Sequence, residues 1–350
     1  MNATCQNPPH PAARQHWHSV SHAQLIAFFQ HHLGLSSADI SSPGPEPRRS
    51  VPFVYHTPVA RDKAYDPSRF HTARLLLALA PSPELYDRLS PSSAAPRPPA
   101  SASSRKRRTA TAIFLHRPWG LDRKRLPRGT LALAEHEAYD ERLTVGWNAA
   151  LVRGLLGALP GLEPGQDLDR DLDVGEKRGK AQDQDQDQDQ DRDERDWISL
   201  RGYKTSPSRR IGLLAPLAKS TSTMQALSQR IQLEFGGCEA CELNGSPGRR
   251  CSVLACLNAF SEEVARRVER VVRERGWDRG EGAAGGMGGV LCLTGAAKEA
   301  GMRVARELGM GVVAVGHRRC EMWGLQYLAR RASEEFGERL EVVDLDAVDE

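Results

Sequence analysis

Two short segments of the chain place a histidine four residues before a carboxylate. The pairs are His136 with Asp140 and His317 with Glu321. On a helix this spacing is about one turn, so the imidazole and the carboxylate can converge on one cation. A structural role is the ordinary alternative for any single histidine. Imidazole and carboxylate ligands without thiolate suit an open site for zinc, manganese, iron or another first-row dication, so the pairs predict such a site.

Two histidines follow apolar runs that have the composition of buried strands. His116 comes after segment 111–115 and is followed by Arg117, and His317 comes after segment 312–315. Open α/β sheets place their binding sites at the carboxyl ends of their strands. We therefore expect both histidines to lie at such an edge.

The elements around these residues alternate between strand-like and helix-like patterns. Strands are predicted at 109–115, 210–217, 251–257, 289–293, 311–315 and 340–345. Helices are predicted at 19–34, 72–80, 223–235, 261–275, 296–308 and 321–336. Strands and helices that take turns along a chain are typical of a layered α/β protein.

Three segments lack the apolar residues needed to offset the entropy of ordering. Residues 1–14 form a polar N-terminus, and residues 90–108 form a Pro/Ser-rich linker. Residues 161–196 form an acidic, low-complexity insertion. Its part 165–196 holds 13 acidic and 6 basic residues, so the remainder of a chain with net charge +3 carries +10. We predict a disordered N-terminus and two folded halves, at 15–160 and 197–350, on either side of the insertion.

Composition also bears on compartment and partners. The chain has no run of about 18 apolar residues and no secretory start, which predicts a soluble cytoplasmic protein without membrane contact. The basic cluster at 104–108 leaves a nuclear location open. Seven cysteines, an odd number, indicate reduced thiols. Four of them leave free thiols or a structural zinc site as alternatives: Cys238, Cys241, Cys251 and Cys256.

Segment 315–329, VGHRRCEMWGLQYLA, resembles the GH-x-x-x-E-x-x-G-x-x-x-L-A signature of the Nif-three-like family. These are the NGG-one-interacting factor proteins, also described as GTP cyclohydrolase I type two-like. Segment 114–118 resembles the family's strand ending in His-His-Pro, and segment 133–140 resembles the one that supplies its metal-binding aspartate. Segments 202–212 and 255–260 resemble fungal members. The resemblance covers most of 19–343 in the family's order.

The resemblance implies two similar, intertwined α/β halves with mixed sheets and a metal site in the cleft between them. Carried over residue by residue, His116, Asp140, His317 and Glu321 would hold a dinuclear centre of zinc, manganese or iron, with Glu321 as the bridge. It also implies homo-oligomers. The activity expected from it is metal-dependent hydrolysis of a nucleotide or another phosphorylated small molecule.

The sequence departs from the family pattern at Arg117, which stands where the second histidine of the pair is expected. A guanidinium cannot ligate a metal and repels a nearby dication. His136 is one substitute ligand. Alternatively the site holds one metal or none, and Arg117 binds an anion directly. A second function follows from this departure, namely a non-catalytic interaction or regulatory protein with a degenerate metal site. Its basic surface would meet a protein or nucleic-acid partner, and we do not expect any binding of nucleic acid to be sequence-specific.

Overall fold

The computed structural model describes residues 19–34, 53–59, 64–90, 110–156, 197–203, 206–217, 222–244, 248–278 and 286–346. The predicted disordered N-terminus, nearly all of the Pro/Ser linker and the acidic insertion lie outside these residues. The domain boundaries drawn through those segments therefore stay predictions.

The first sheet gathers strands from both ends of the chain. Its six strands are β1 Val20–Ser21, β2 Phe53–His56, β3 His71–Ala78, β4 Ala110–Leu115, β5 Leu131–Ala134 and β12 Glu341–Asp344. The order is β1-β3-β4-β5-β2, and β12 pairs with β3. Strands β3, β4, β5 and β12 run parallel, whereas β1 and β2 are antiparallel to their neighbours.

The second sheet is built from the part of the chain after the insertion. Its strands are β6 Ile198–Tyr203, β7 Ser206–Pro216, β8 Ala240–Leu243, β9 Val253–Leu257, β10 Val290–Thr294 and β11 Gly311–Ala314. The order is β6-β7-β9-β10-β11-β8, with parallel β9, β10 and β11 flanked by antiparallel strands. The parallel part of the first sheet thus has four strands and that of the second sheet has three.

Helices cover both faces of each sheet. The α-helices are α1 His22–His32, α2 Pro83–Leu89, α3 Glu137–Arg142, α4 Ala149–Leu156, α5 Met224–Glu234, α6 Glu262–Glu274, α7 Glu299–Leu308 and α8 His317–Phe336. Short 3-10 turns occupy Arg123–Arg125 and Gly337–Arg339. None of the described helices is long and apolar enough to cross a membrane.

Helix α8 ties the two halves together. It leaves the end of β11 in the second sheet and leads to β12 in the first. Its first turns bury Cys320 and Trp323 against the second sheet, and later turns bury Leu328 and Phe336 with α1 against the first. The prediction of an α/β protein with two intertwined, similar halves and mixed sheets is confirmed.

Two predicted elements need correction. The helix predicted at 72–80 is strand β3, because its apolar residues are buried on both faces. Leu75 and Leu77 pack towards α1 and α8, and Leu76 packs towards α2. A short apolar run that is buried on both sides has no periodicity to separate strand from helix. The helix predicted at 321–336 begins four residues earlier, at His317, so the second histidine–carboxylate pair lies within it.

Candidate metal centre

The predicted site residues meet where the two halves touch. His116 follows β4 directly, and its backbone N–H donates to Ala78 at the end of the neighbouring strand β3. His136 follows β5 and precedes α3, which carries Asp140. Since β4 and β5 are parallel neighbours, their carboxyl ends lie side by side. The first turn of α8 brings His317 and Glu321 to the same place from the other half.

His116 lies at the centre of this group and its side chain is fully buried. Its Nε2 is 3.3 Å from Oδ1 of Asp140 and 3.3 Å from Oε1 of Glu321. On the other side of the ring, Nδ1 donates to the carbonyl of Glu135 at 3.4 Å. This contact orients the imidazole so that Nε2 faces the two carboxylates.

Glu321 uses its two oxygens differently. Oε1 lies between two histidines, because Nε2 of His317 is 3.2 Å away on the solvent side. Oε2 accepts a hydrogen bond from the Arg117 guanidinium at 2.5 Å. The carboxylate is almost fully buried, whereas His317 is 71% exposed. The group is thus open to solvent on the His317 side.

His136 completes a compact set with His116 and Asp140. Each can offer one ligand atom within 4.8 Å of the other two, so this group could hold a metal ion. Nδ1 of His136 is 3.5 Å from Oδ2 of Asp140, and its ring centroid is 4.6 Å from that of His116. The four cysteines named above as a candidate zinc site form no comparable group in the described part of the chain.

Burial and charge act against each other on these groups. Burial disfavours protonated His116, yet the carboxylates of Asp140 and Glu321 outweigh it and raise the pKa of the imidazole. Burial likewise disfavours both carboxylate anions, and the neighbouring cations nonetheless hold their pKa values below the ordinary range. Burial lowers the pKa of His136. Both carboxylates are therefore ionised at neutral pH, as a metal ligand must be.

Two buried nitrogen atoms of the group have no hydrogen-bond partner. They are Nε2 of His116 and Nδ1 of His136. Nε2 of His116 lies within ion-pair distance of the two carboxylates, but the angles are not those of a hydrogen bond. Buried polar atoms are nearly always paired, and functional sites are a common reason for exceptions. A set of imidazole nitrogens and carboxylate oxygens with unpartnered nitrogens fits a divalent metal.

Several neighbours of the site are not apparent from the sequence. Tyr139 is fully buried and its hydroxyl donates to the backbone carbonyl of Glu321, which ties α3 to α8. Arg209 lies on β7, and its guanidinium is 3.7 Å from Oδ2 of Asp140. The arginine extends from this strand towards the site.

Comparisons with known proteins give structural likeness alone. No protein-family model matches the chain, and no curated protein matches it. HcgD from Methanocaldococcus jannaschii, solved in reduced form, is 15% identical with a TM-score of 0.46, over 94% of this chain and 98% of that one. TTHA1606 from Thermus thermophilus is 15% identical with a TM-score of 0.42, over 93% and 98%. A Bacillus cereus protein related to NIF3 is 10% identical with a TM-score of 0.40, over 95% and 98%.

The chain is similar to Nif-three-like proteins. One of the solved structures bears that family's name, and the motifs at 114–118 and 315–329 resemble the same family. Its assignment to the fungal type stays a prediction.

Proposed function

We propose that this chain is a divalent-metal-binding, Nif-three-like protein that hydrolyses a phosphorylated small molecule. In this proposal His116, Asp140, His317 and Glu321 hold the metal. The observation that carries it is the fully buried Nε2 of His116, which has two ionised carboxylates within 3.3 Å and no hydrogen-bond partner.

The separations of the donor atoms support a metal of the size of zinc. Ligands about 2.1 Å from a tetrahedral ion lie roughly 3.4 Å from one another. The nitrogen–oxygen distances between neighbouring donors here are 3.3, 3.3 and 3.2 Å, with Glu321 taking part in two of them. The three donors that all lie within 4.8 Å of one another are His116, His136 and Asp140. We therefore propose His136, which is 3.5 Å from Asp140, as a further ligand of the same metal.

We propose that one metal, rather than two, is bound per chain. A carboxylate that bridges two cations needs electron pairs for both, and Oε2 of Glu321 is engaged by Arg117. The guanidinium keeps its charge at any accessible pH. Arg117 therefore supplies a fixed positive charge where a second dication would otherwise neutralise the carboxylate.

Residues around the metal would bind the substrate phosphate and accept a proton. When bound, a dication supplies Lewis-acid chemistry by polarising a phosphoryl oxygen and lowering the pKa of a water molecule. Arg117 and Arg209 approach the group from two sides and can neutralise the charge of a phosphate. His136 has a lowered pKa, so it is largely neutral at pH 7 and able to accept a proton.

One observation favours a second candidate, a non-catalytic protein with a degenerate site. With His116 protonated, the positive charges of His116 and Arg117 offset those of Asp140 and Glu321 without any metal, and Arg209 adds a further positive charge 3.7 Å from Asp140. Such a network would be a structural link between the two halves. The two proposals differ in metal content and in hydrolysis.

The deciding experiment is metal content per chain by elemental mass spectrometry on protein purified without a metal-binding tag. We expect one equivalent in the wild type and a loss in Glu321→Ala. Glu335→Ala is the matched control, because Glu335 lies exposed on the same helix α8 and should retain the metal. Absence of metal in the wild type, even after incubation with zinc or manganese, would favour the degenerate site.

Two further variants test the roles within the site. If Arg117 replaces a ligand, Arg117→His should raise the metal content from one equivalent to two, and an unchanged content would contradict that account. A screen of phosphomonoesters and nucleotides then compares wild type with His317→Ala. Metal binding without any hydrolysis would support the metal-binding proposal and contradict the proposed hydrolase activity.

A further inference from the structure

The connection between β4 and β5 is unusually basic. Residues 117–128, RPWGLDRKRLPR, hold five cations and one acidic residue, Asp122. We call this segment the basic loop. It begins at the site, since Arg117 binds Glu321. Four of its cations have exposed side chains, namely Arg123, Lys124, Arg125 and Arg128.

The basic loop also presents an aromatic side chain to solvent. Trp119 is 62% exposed, although tryptophan is normally well buried. Its ring stands edge-on to His136, with the centroids 4.8 Å apart and the planes at 88°. This contact fixes one edge of the indole and leaves much of the ring accessible. An accessible aromatic ring next to exposed cations offers a surface on which a planar group can stack.

Cation–π contacts hold the basic loop in place. The Arg123 guanidinium lies 5.0 Å from the ring of Phe53 and 4.8 Å from that of Tyr55, and Arg125 lies 3.9 Å from the ring of Tyr86. The backbone N–H of Asp122 donates to the Tyr86 hydroxyl at 2.8 Å. The loop is therefore ordered before any ligand binds, which reduces the entropy lost on binding.

The pairing of β2 places Arg123 near the candidate metal centre. Phe53, beneath Arg123, pairs with Ala134, and His136 follows two residues later. The basic loop thus leads from the site, at Arg117, to the edge strand β2, over which Arg123 lies. A single phosphate would contact only one or two of the cations of the loop, whereas a chain of phosphates could contact several.

We propose that the basic loop binds single-stranded nucleic acid, with a base stacked on Trp119 and the backbone along Arg123, Lys124, Arg125 and Arg128. Proteins that bind single strands without sequence preference combine a positive track for the phosphates with aromatic rings for the bases. A duplex keeps its bases stacked on each other and could not use Trp119. Binding of nucleic acid to the basic loop does not require the metal, so it can be tested independently of the proposed hydrolysis.

The first experiment measures fluorescence anisotropy of a labelled oligo(dT) or oligo(U) of about 12 nucleotides with the full-length protein. Trp119→Ala should weaken binding roughly 5- to 150-fold, the equivalent of about 1 to 3 kcal/mol for one stacked base. Trp119→Phe should restore much of the affinity. Leu233→Ala is the control, because Leu233 is an exposed apolar side chain on α5 and should have no effect.

The second experiment tests the charges. Lys124→Ala and Arg128→Ala should each lower the slope of log affinity against log salt by about 0.7, measured between about 50 and 200 mM salt. Arg270→Ala, an exposed arginine on α6 against the second sheet, is the matched control and should not alter the slope.

Several outcomes would overturn the inference. Equal affinity for a duplex of the same length, or binding of a mononucleotide as tight as that of the oligonucleotide, would show that the track is not used as proposed. Unchanged affinity in Trp119→Ala would reduce the interaction to general electrostatic attraction. A preference for DNA or for RNA would define the ligand further and would support the proposal.

Discussion

The contact between α3 and α8 predicts that one glycine controls both stability and the geometry of the site. Gly324 lies on α8, one turn after Glu321, and packs against Tyr139. A Cβ added at Gly324 would lie 2.5 Å from the Tyr139 hydroxyl oxygen and 2.9 Å from the carbonyl oxygen of Leu143. Both are closer than real Cβ contacts, and one of the two atoms belongs to the backbone.

Two effects of Gly324→Ala oppose each other. Alanine is favoured over glycine in a helix interior by about 1 kcal/mol. Overpacking a close contact costs about 1 to 3 kcal/mol. Tyr139 is fully buried and its hydroxyl donates to the Glu321 carbonyl, so moving it away also forfeits a hydrogen bond worth about 1 kcal/mol. The steric effect should prevail, and we expect a net destabilisation of roughly 1 to 3 kcal/mol.

The same substitution at Gly154 provides the comparison. Gly154 lies on α4, and a Cβ there would meet nothing within 4 Å. Gly154→Ala should therefore raise the free energy of unfolding by up to about 1 kcal/mol. Urea unfolding at neutral pH, followed by circular dichroism, measures both variants. Equal or greater stability of Gly324→Ala would refute the packing argument, because helix propensity would then be the larger effect.

Three other predictions concern protons and thiols. Burial lowers the pKa of His22 to about 4, so between pH 6.5 and 4 this histidine is protonated in the unfolded chain but not in the native state. The free energy of unfolding should therefore decrease as the pH is lowered, by about 2 kcal/mol at pH 5 relative to pH 7. Urea unfolding at the two pH values should show that His22→Gln removes this contribution to the decrease. Because the pKa of His116 is raised, zinc must displace a proton from its imidazole. Zinc affinity should therefore rise with pH, and calorimetry in buffers of different ionisation heat should detect the released proton. Iodoacetamide should alkylate the exposed Cys241 in the native protein but not Cys251, because burial raises the pKa of the Cys251 thiol to about 12. Mass spectrometry of the labelled peptides measures both reactions, and equal labelling of the two cysteines would contradict the prediction.

Elements with clear end residues could be predicted closely from the sequence. Helix α6, Glu262–Glu274, was expected at 261–275, and the Ser261 hydroxyl caps it by accepting from the Val264 N–H. Strand β3 could not be predicted, because its residues 75–78 are apolar and buried on both faces, so no polar positions mark a period there. Short strands such as β2 and β8 are also not apparent from the sequence, since each has only three half-buried residues and one exposed residue and carries little pattern.

The site itself was predicted as far as local spacing allows. A histidine four residues before a carboxylate is visible in the sequence, and in each pair the histidine does contact its carboxylate, at the start of α3 and at the start of α8. What spacing cannot give is the meeting of the two pairs at His116, which depends on α8 crossing from one half to the other. Tyr139 and Arg209 were missed for the same reason, because their partners are distant in sequence.

The formal charges at the centre bear on the kind of substrate that it could take. Asp140 and Glu321 contribute two negative charges, and Arg117 and Arg209 contribute two positive charges. One bound dication would leave an excess of two positive charges, which a phosphate monoester of about −1.5 to −2 would neutralise. A second dication would double that excess and would have to displace Arg117 from Glu321. On this count, the proposed single metal with Arg117 retained would suit a phosphate monoester better than an uncharged substrate.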